Sequence, residues 1–181
     1  SVDLTPPIIT GPSGSVGTAT SSKSIPENTT AVYTFTANEP VTWSITSGAD
    51  QLKFSIDPNT GVISFNTAPD YEIPTDADGN NTYIVIITAT DAAGNVTTQT
   101  LTVTVTDVEA PTASCVASPL TVQLDASGVA TITADDINDG SSDNCTAANA
   151  LTLAIDKTSF DCGDIGSTTV TLTVTDEYSN S

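Results

Sequence analysis

Short runs rich in Val, Ile, Thr and aromatic residues recur along the chain, separated by clusters of Gly, Pro, Asn and Asp, and almost nothing repeats at helical spacing. The alternation is cleanest at Leu101, Val103 and Val105, with Thr between them, a period of two that gives a strand one apolar face. Ala31–Ala37 alternates as well, with Val32 and Thr34 on one face and Tyr33 and Phe35 on the other. In the first half the pattern predicts strands at Ile8–Thr10, Ala31–Ala37, Val41–Thr46, Phe54–Ile56, Val62–Phe65, Tyr83–Thr90 and Thr97–Thr106. So many short strands within about 100 residues predict a sandwich of two sheets. Trp43, the one Trp, falls in the third strand, where such a core buries it.

The second half predicts strands at Leu120–Leu124, Val129–Thr133, Leu151–Ile155 and Thr169–Thr175, the first two joined as a hairpin by Asp125-Ala126-Ser127-Gly128. There is an internal echo. Ile86 to Asn95 and Leu172 to Asn180 each read as a strand ending in Thr-Asp, followed by a tight turn that closes on Asn. Asp3-Leu4-Thr5-Pro6-Pro7 likewise matches Asp107-Val108-Glu109-Ala110-Pro111, so the same kind of linker opens each half. This is the signature of a tandem array. The expected fold is all-β: two immunoglobulin-like Greek-key β-sandwiches in tandem, residues 1–108 and 109–181. The second is expected to lack its last strand, because the pattern stops where Thr97–Thr106 runs in the first.

Charge narrows the function. Among 181 residues, 22 acids face only Lys23, Lys53 and Lys157, for a net charge of -19. Such a chain repels nucleic acid and anionic lipid surfaces. The organised apolar runs argue against disorder. What remains is that acids are held together by a hard, oxygen-seeking cation, which is calcium. There is no His, which removes the commonest general base and the usual zinc ligand. No stretch approaches the roughly 20 apolar residues of a membrane-spanning helix. Three Cys, at 115, 145 and 162, cannot all pair within the chain.

If each strand of the first sandwich reverses direction, Glu27, Asp70, Glu72, Asp76, Asp78, Asn80 and Asp107 gather at one end, beside the second half. Asp3, Glu39, Asp91 and Asn95 gather at the other. Several carboxylates in one place disfavour mutual ionisation unless a cation sits among them. Asp76-Ala77-Asp78-Gly79-Asn80 offers alternate oxygen ligands, with Gly79 permitting the reversal, although Asp, Asn and Gly are also plain turn formers. In the second half Glu109, Asp136, Asp143 and Asp176 are the equivalent candidates, facing the linker from the other side.

Ser24-Ile25-Pro26-Glu27-Asn28, Phe54 to Gly61, Asp70-Tyr71-Glu72, Thr88-Ala89-Thr90-Asp91 and Val105-Thr106-Asp107 resemble the bacterial cadherin-like repeats, over roughly residues 21–108. The resemblance implies that Glu27, Asp70, Glu72 and Asp107 are calcium ligands. Tyr71 stands where the family has Arg, and the linker lacks the Asp-x-Asn-Asp-Asn form of animal cadherins. Residues 109–181 resemble the hyalin-repeat-like modules of large surface proteins from Bacteroidetes-type bacteria. The matching pieces are Ala110 to Cys115, Asp143-Asn144-Cys145, Thr158 to Cys162 and Val170 to Asp176. In that family a fourth Cys sits in the last strand. Cys145–Cys162 is therefore the expected disulfide and Cys115 the odd thiol, with Cys115–Cys145 the rival pairing. The mosaic is similar to giant adhesins of the bacterial cell surface, including those of gliding bacteria. Its implied partners are neighbouring repeats and a surface polysaccharide or protein, with the segment itself a monomer.

Two other functions compete with a calcium-stiffened stalk. A carbohydrate-binding or spacer module of a secreted protein would use Trp43, Tyr71 or Tyr178, or an ice-binding face would use regular Thr; no such Thr array is evident in the sequence. An enzyme would need Ser–Lys or paired-carboxylate chemistry. Lys23, Lys53 and Lys157 do stand beside Ser22 and Ser24, Ser55 and Ser159, but neighbours on an extended strand point apart. The chain is not expected to be an enzyme.

Overall fold

The structure is a computed structural model that describes residues 3–181. It divides into two compact units, Ser1–Asp107 and Val108–Ser181. In unit 1 the strands are β1 (Ile9–Thr10), β2 (Thr20–Pro26), β3 (Ala31–Thr34), β4 (Thr36–Ala37), β5 (Thr42–Ser47), β6 (Phe54–Ile56), β7 (Val62–Phe65), β8 (Thr82–Thr90) and β9 (Val96–Thr106). One sheet has the order β2-β9-β8-β5, the other β3-β7-β6, with β1 paired to β4.

The sandwich follows from the alternation. Leu101, Val103 and Val105 of β9 and Tyr83, Val85, Ile87 and Ala89 of β8 are all at most 1% exposed. They face Phe54, Ile63 and Phe65 of the second sheet. Tyr83 meets Phe65 edge-on at 4.9 Å, an arrangement favoured by the ring quadrupoles. Trp43 is buried against Phe35, 5.8 Å away, as core packing requires.

β2 was not expected. Its residues, Thr-Ser-Ser-Lys-Ser-Ile-Pro, bury only Ser21 and Ile25 and show no apolar alternation. It is a strand because β9 supplies a parallel ladder, from Thr20 beside Thr100 to Pro26 beside Thr106. The expected strand Ala31–Ala37 breaks into β3 and β4. A bulge between Ala31 and Tyr33 shifts the register, so Val32 and Phe35 are buried while Thr34 is exposed.

Unit 2 has β10 (Ala130–Thr131), β11 (Thr152–Ile155), β12 (Ser159–Phe160) and β13 (Leu172–Thr175), paired β10-β12 and β11-β13. Its core is small: Ala130, Ile132, Ile137, Phe160, Leu172 and Val174. The expected strand Leu120–Leu124 forms no ladder, although the turn after it forms, with Gly128 N–H donating to the Asp125 carbonyl. Val129–Thr133 contracts to β10.

The three sulfurs are not joined to one another in the structure, and the expected Cys145–Cys162 disulfide is left for non-reducing peptide mapping to test. Cys145 Sγ is turned into its own loop, donating to Asp143 Oδ2 at 3.2 Å. Cys162 opens a short 3-10 helix, Cys162–Asp164, on the Gly128 turn. The two side chains are directed to different local partners. The same mapping decides the rival pairing, Cys115–Cys145.

Candidate metal centre

Three segments of unit 1 build the site. Glu27 directly follows β2. Its N–H donates to the Thr106 carbonyl at 3.0 Å, and the Asn28 N–H donates to the Pro69 carbonyl at 2.8 Å. The corner is thus tied to the end of β9 and to the loop 66–81. Asn28 has φ 59°, a left-handed conformation that Asn tolerates better than most residues.

In the loop, Asp70 Oδ1 accepts from the N–H groups of Glu72 (3.0 Å) and Ile73 (3.1 Å), a side-chain-stabilised turn. Tyr71 N–H donates to Glu27 Oε2 at 2.8 Å. Carboxylate oxygens of Glu27, Asp70 and Glu72 then lie within 4.8 Å of one another, and Glu72 and Asp107 approach within the same distance. Glu27 is 2% exposed and Asp107 3%. Burial, followed by the charges of Glu27 and Asp107, pushes the Glu72 carboxyl up to about 6. Its Oε1 is buried and has no hydrogen-bond partner. An all-oxygen donor set with one buried oxygen unsatisfied fits a hard cation such as calcium, which takes 6–8 oxygens.

The structure separates Asp76, Asp78 and Asn80 from this group. Asp76 Oδ2 accepts from Asn80 N–H (2.9 Å) and Oδ1 from Asn81 N–H (3.1 Å), so its oxygens close their own turn. Asp78 Oδ2 accepts from Asn80 Nδ2. These residues act as turn formers.

Two residues missed in the sequence hold the loop in place. Asp50, 4% exposed, accepts the Ala77 and Ile84 N–H groups, one on each oxygen, both at 2.7 Å. Asn81 donates through Nδ2 to the Tyr71 carbonyl at 2.8 Å, and its own carbonyl accepts from Val105 N–H. Neither carries a local signal, because an isolated Asp or Asn reads only as a turn residue.

At the other end of β8, Asp3, Glu39 and Asp91 bring carboxylate oxygens within 4.8 Å. Asn95 braces this group through its Nδ2, which donates to Asp91 Oδ2 at 2.7 Å. That bond is the leading cause holding the Asp91 carboxyl below its usual range.

In unit 2, Asp143 and Asp176 approach within 4.8 Å. Asp143 Oδ2 accepts from Cys145 and Thr146 N–H groups, while its Oδ1 is buried with no partner. Glu109 Oε2 accepts from Asn144 Nδ2 at 2.8 Å, beside a cleft that Asp143 also lines. Asp136 is not brought to these groups. It accepts from both the N–H and the hydroxyl of Thr133, a cap for the 3-10 helix Ala134–Asp136.

Other chemistry finds little support in the geometry. Lys157 contacts Asp164 at 2.6 Å and lies over the Phe160 ring. Trp43 is in the core, and Tyr178 is 42% exposed. Positions 98, 100, 102, 104 and 106 of β9, between the buried residues, are all Thr, which continues the alternation read from the sequence. Among the described residues, no helix is long and apolar enough to cross a membrane.

The profile of the cadherin domain matches residues 11–106, more than half of the chain. The chain belongs to the cadherin domain family. The cadherin domain is a non-catalytic, extracellular adhesion module, and its all-β sandwich is the fold found here. Among solved structures, Drosophila N-cadherin EC1-3 is 25% identical over 57% of this chain and 35% of that one, with a TM-score of 0.42. The protocadherin gammaB7 EC3-6 cis-dimer structure is 17% identical, covering 96% of this chain and 44% of that one, with a TM-score of 0.49. Protocadherin gamma B2 extracellular cadherin domains 3-6 give 17%, 97%, 39% and 0.49. The chain therefore spans less than half the length of each of these structures. No curated protein gives a match.

Proposed function

We propose that this cadherin-family chain is a calcium-stiffened segment of the stalk of a large adhesin on a bacterial surface, with a hyalin-repeat-like module following the cadherin domain. Gliding bacteria carry adhesins of similar make-up. One observation carries the reading. Glu27, Asp70 and Glu72 converge within 4.8 Å, and Glu72 Oε1 is buried without a partner. Glu27, Asp70, Glu72 and Asp107 would hold the ion. Its chemistry there is neutralisation and cross-linking: it joins the end of β2, the loop 66–81 and the end of β9 through oxygens that otherwise repel. Extracellular modules bind calcium with dissociation constants on the order of 10⁻⁴–10⁻³ M, which suits a site outside the cell. Asp3, Glu39 and Asp91 form a second candidate in unit 1, and Asp143 with Asp176 a partial one in unit 2. Neighbouring repeats of the same chain are the partners of such a segment, and a surface polysaccharide or protein is the ligand of the parent molecule.

Thermal melting with calcium and with chelator tests the proposal. An ion that binds only the folded state must raise Tm by mass action. Equal melting temperatures in the two conditions would remove the structural ion. Small-angle scattering tests stiffening separately, and identical profiles with and without calcium would remove it.

A further inference from the structure

Asn81 is the last residue before β8, 8% exposed and at φ 61°, in the left-handed region where Asn is among the better tolerated side chains. Its polar atoms reach three segments of unit 1. The N–H donates to Asp76 Oδ1 at 3.1 Å, which closes the turn 76–81. The carbonyl accepts from Val105 N–H of β9 at 2.9 Å. The side-chain Nδ2 donates to the Tyr71 carbonyl at 2.8 Å. Reversing the amide would set Oδ1 against that carbonyl oxygen, acceptor against acceptor. Oδ1 instead lies buried with no partner, so the bond to Tyr71 is kept although it leaves a buried acceptor unsatisfied.

These bonds belong to a closed ring. Tyr71 N–H donates to Glu27 Oε2 at 2.8 Å, and Glu27 N–H donates to the carbonyl of Thr106, the residue after Val105, at 3.0 Å. From β9 the ring runs through Asn81, Tyr71 and Glu27 and returns to β9. All four carboxylates assigned to the cation stand on it or within two residues of it. Glu27 is a member, Asp70 and Glu72 flank Tyr71, and Asp107 lies two residues beyond Val105. Only two side chains take part, Glu27 and Asn81, and Asn81 is the one that is not an assigned ligand.

Such a ring bears on which cation fits. Calcium takes oxygens at about 2.3–2.6 Å in variable geometry, whereas magnesium demands a near-ideal octahedron at about 2.0–2.1 Å. The choice between them depends on the size and flexibility of the site. Carboxylates held by a closed ring are hindered from drawing in to the shorter distance. Resting on the calcium reading above, we propose that Asn81 is the positioning residue that sets this site for calcium against magnesium. It does so by tying the peptide between Asp70 and Glu72 to the strand that leads to Asp107.

The first variant is N81G, because glycine keeps the left-handed backbone and both main-chain bonds and loses only the side chain. In the calcium-free full chain, hydrogen exchange at the Tyr71 and Glu72 amides should quicken about tenfold. Val105, bonded to the main chain of residue 81, should keep its rate. Titrations with CaCl2 and with MgCl2 are followed by the NMR shifts of the Tyr71 and Glu72 amides, well below the melting temperature. N81G should bind calcium about tenfold more weakly and magnesium nearly as before, so the preference for calcium narrows by that factor. The control is I9V or I9A in β1, beside Ala37, whichever matches the N81G melting temperature. It should keep the original preference, which separates positioning from lost stability. N81D, whose carboxylate cannot donate to the Tyr71 carbonyl, should repeat the N81G exchange and selectivity. An unchanged calcium-to-magnesium ratio in N81G or N81D, or an equal change in the Ile9 control, overturns the inference and leaves the calcium site standing. An unsubstituted chain that binds no calcium removes the site and this inference with it.

Discussion

Glu72 shows how one carboxyl can oppose the fold and serve it. Its native value, about 6, lies above the 4.5 of an unperturbed glutamate, with burial as the main cause. Between those values the folded chain binds more protons at this site than the unfolded chain. Metal-free stability must therefore fall as pH rises from about 4.5 through about 6. Calcium needs the ionised carboxylate, so the calcium-induced gain in Tm should widen over the same window. Melts at pH 4.5, 5.5 and 7.5, with and without calcium, check this; a gain that does not change with pH takes Glu72 out of the ligand set. Asp91 behaves in the opposite sense. Its carboxyl is held low, first by the Asn95 amide, so its contribution is present above pH 3.8 and is lost as pH falls through the native value. The residues gathered around Glu72 were legible because Pro26-Glu27-Asn28 and Asp70-Tyr71-Glu72 are compact motifs. Asp76 and Asp78 looked equally suitable and lie elsewhere. Sequence gives a residue's oxygens but not which N–H groups have already claimed them, and in Asp76 those of Asn80 and Asn81 have.

At the scale of strands and turns, the hairpin of β6 and β7 was readable to the residue. Its strands are short apolar runs bounded by Asp57-Pro58-Asn59-Thr60-Gly61, and each signal agrees with the others. Asp57 Oδ1 accepts from the Asn59 and Thr60 N–H groups, and Gly61 N–H returns to the Asp57 carbonyl. Gly61 has φ 72°, and a Cβ there would lie 2.5 Å from the Phe35 carbonyl oxygen and 2.9 Å from Trp43 Nε1. Gly61→Ala is therefore expected to cost at least ~2 kcal/mol, through an unfavourable φ and backbone overlap together. Urea unfolding followed by Trp43 fluorescence measures it, and a loss below about 0.5 kcal/mol would mean the turn relaxes freely. β2 and residues 120–124 were misread for a shared reason. A ladder is a property of two segments, and local composition speaks for only one of them. β2 has poor composition and a partner in β9, whereas residues 120–124 have good composition and none. Spacing along the chain likewise does not say where Cys145 Sγ points, and in the structure it is turned to Asp143 Oδ2.

Across the whole molecule, 22 acids against three lysines make electrostatic self-repulsion unavoidable, and two different remedies predict different responses. Screening by any salt relieves repulsion between exposed charges, since the Debye length shortens to about 10 Å at 0.1 M. Buried groups such as Glu27 and Asp107 are screened much less, and a bound divalent ion relieves them directly. The two units also differ in core. Unit 1 buries Tyr83, Phe35, Ile63 and Leu101 almost completely, while the few core residues of unit 2 remain 4–9% exposed. They should melt separately, with unit 2 first. Trp43, the only Trp, lies in the unit 1 core, so its fluorescence reports that unit alone. Raising NaCl should lift the Trp43 melting curve gradually and without saturation. CaCl2 at matched ionic strength should lift it further and then saturate, by about 1.4 kcal/mol at a free concentration ten times the dissociation constant. MgCl2 should follow the NaCl curve more closely, because magnesium demands a tighter octahedral shell and gives up its water reluctantly. Should NaCl at equal ionic strength reproduce the calcium curve, the acids around Glu72 are relieved by screening alone and unit 1 owes nothing to a bound ion.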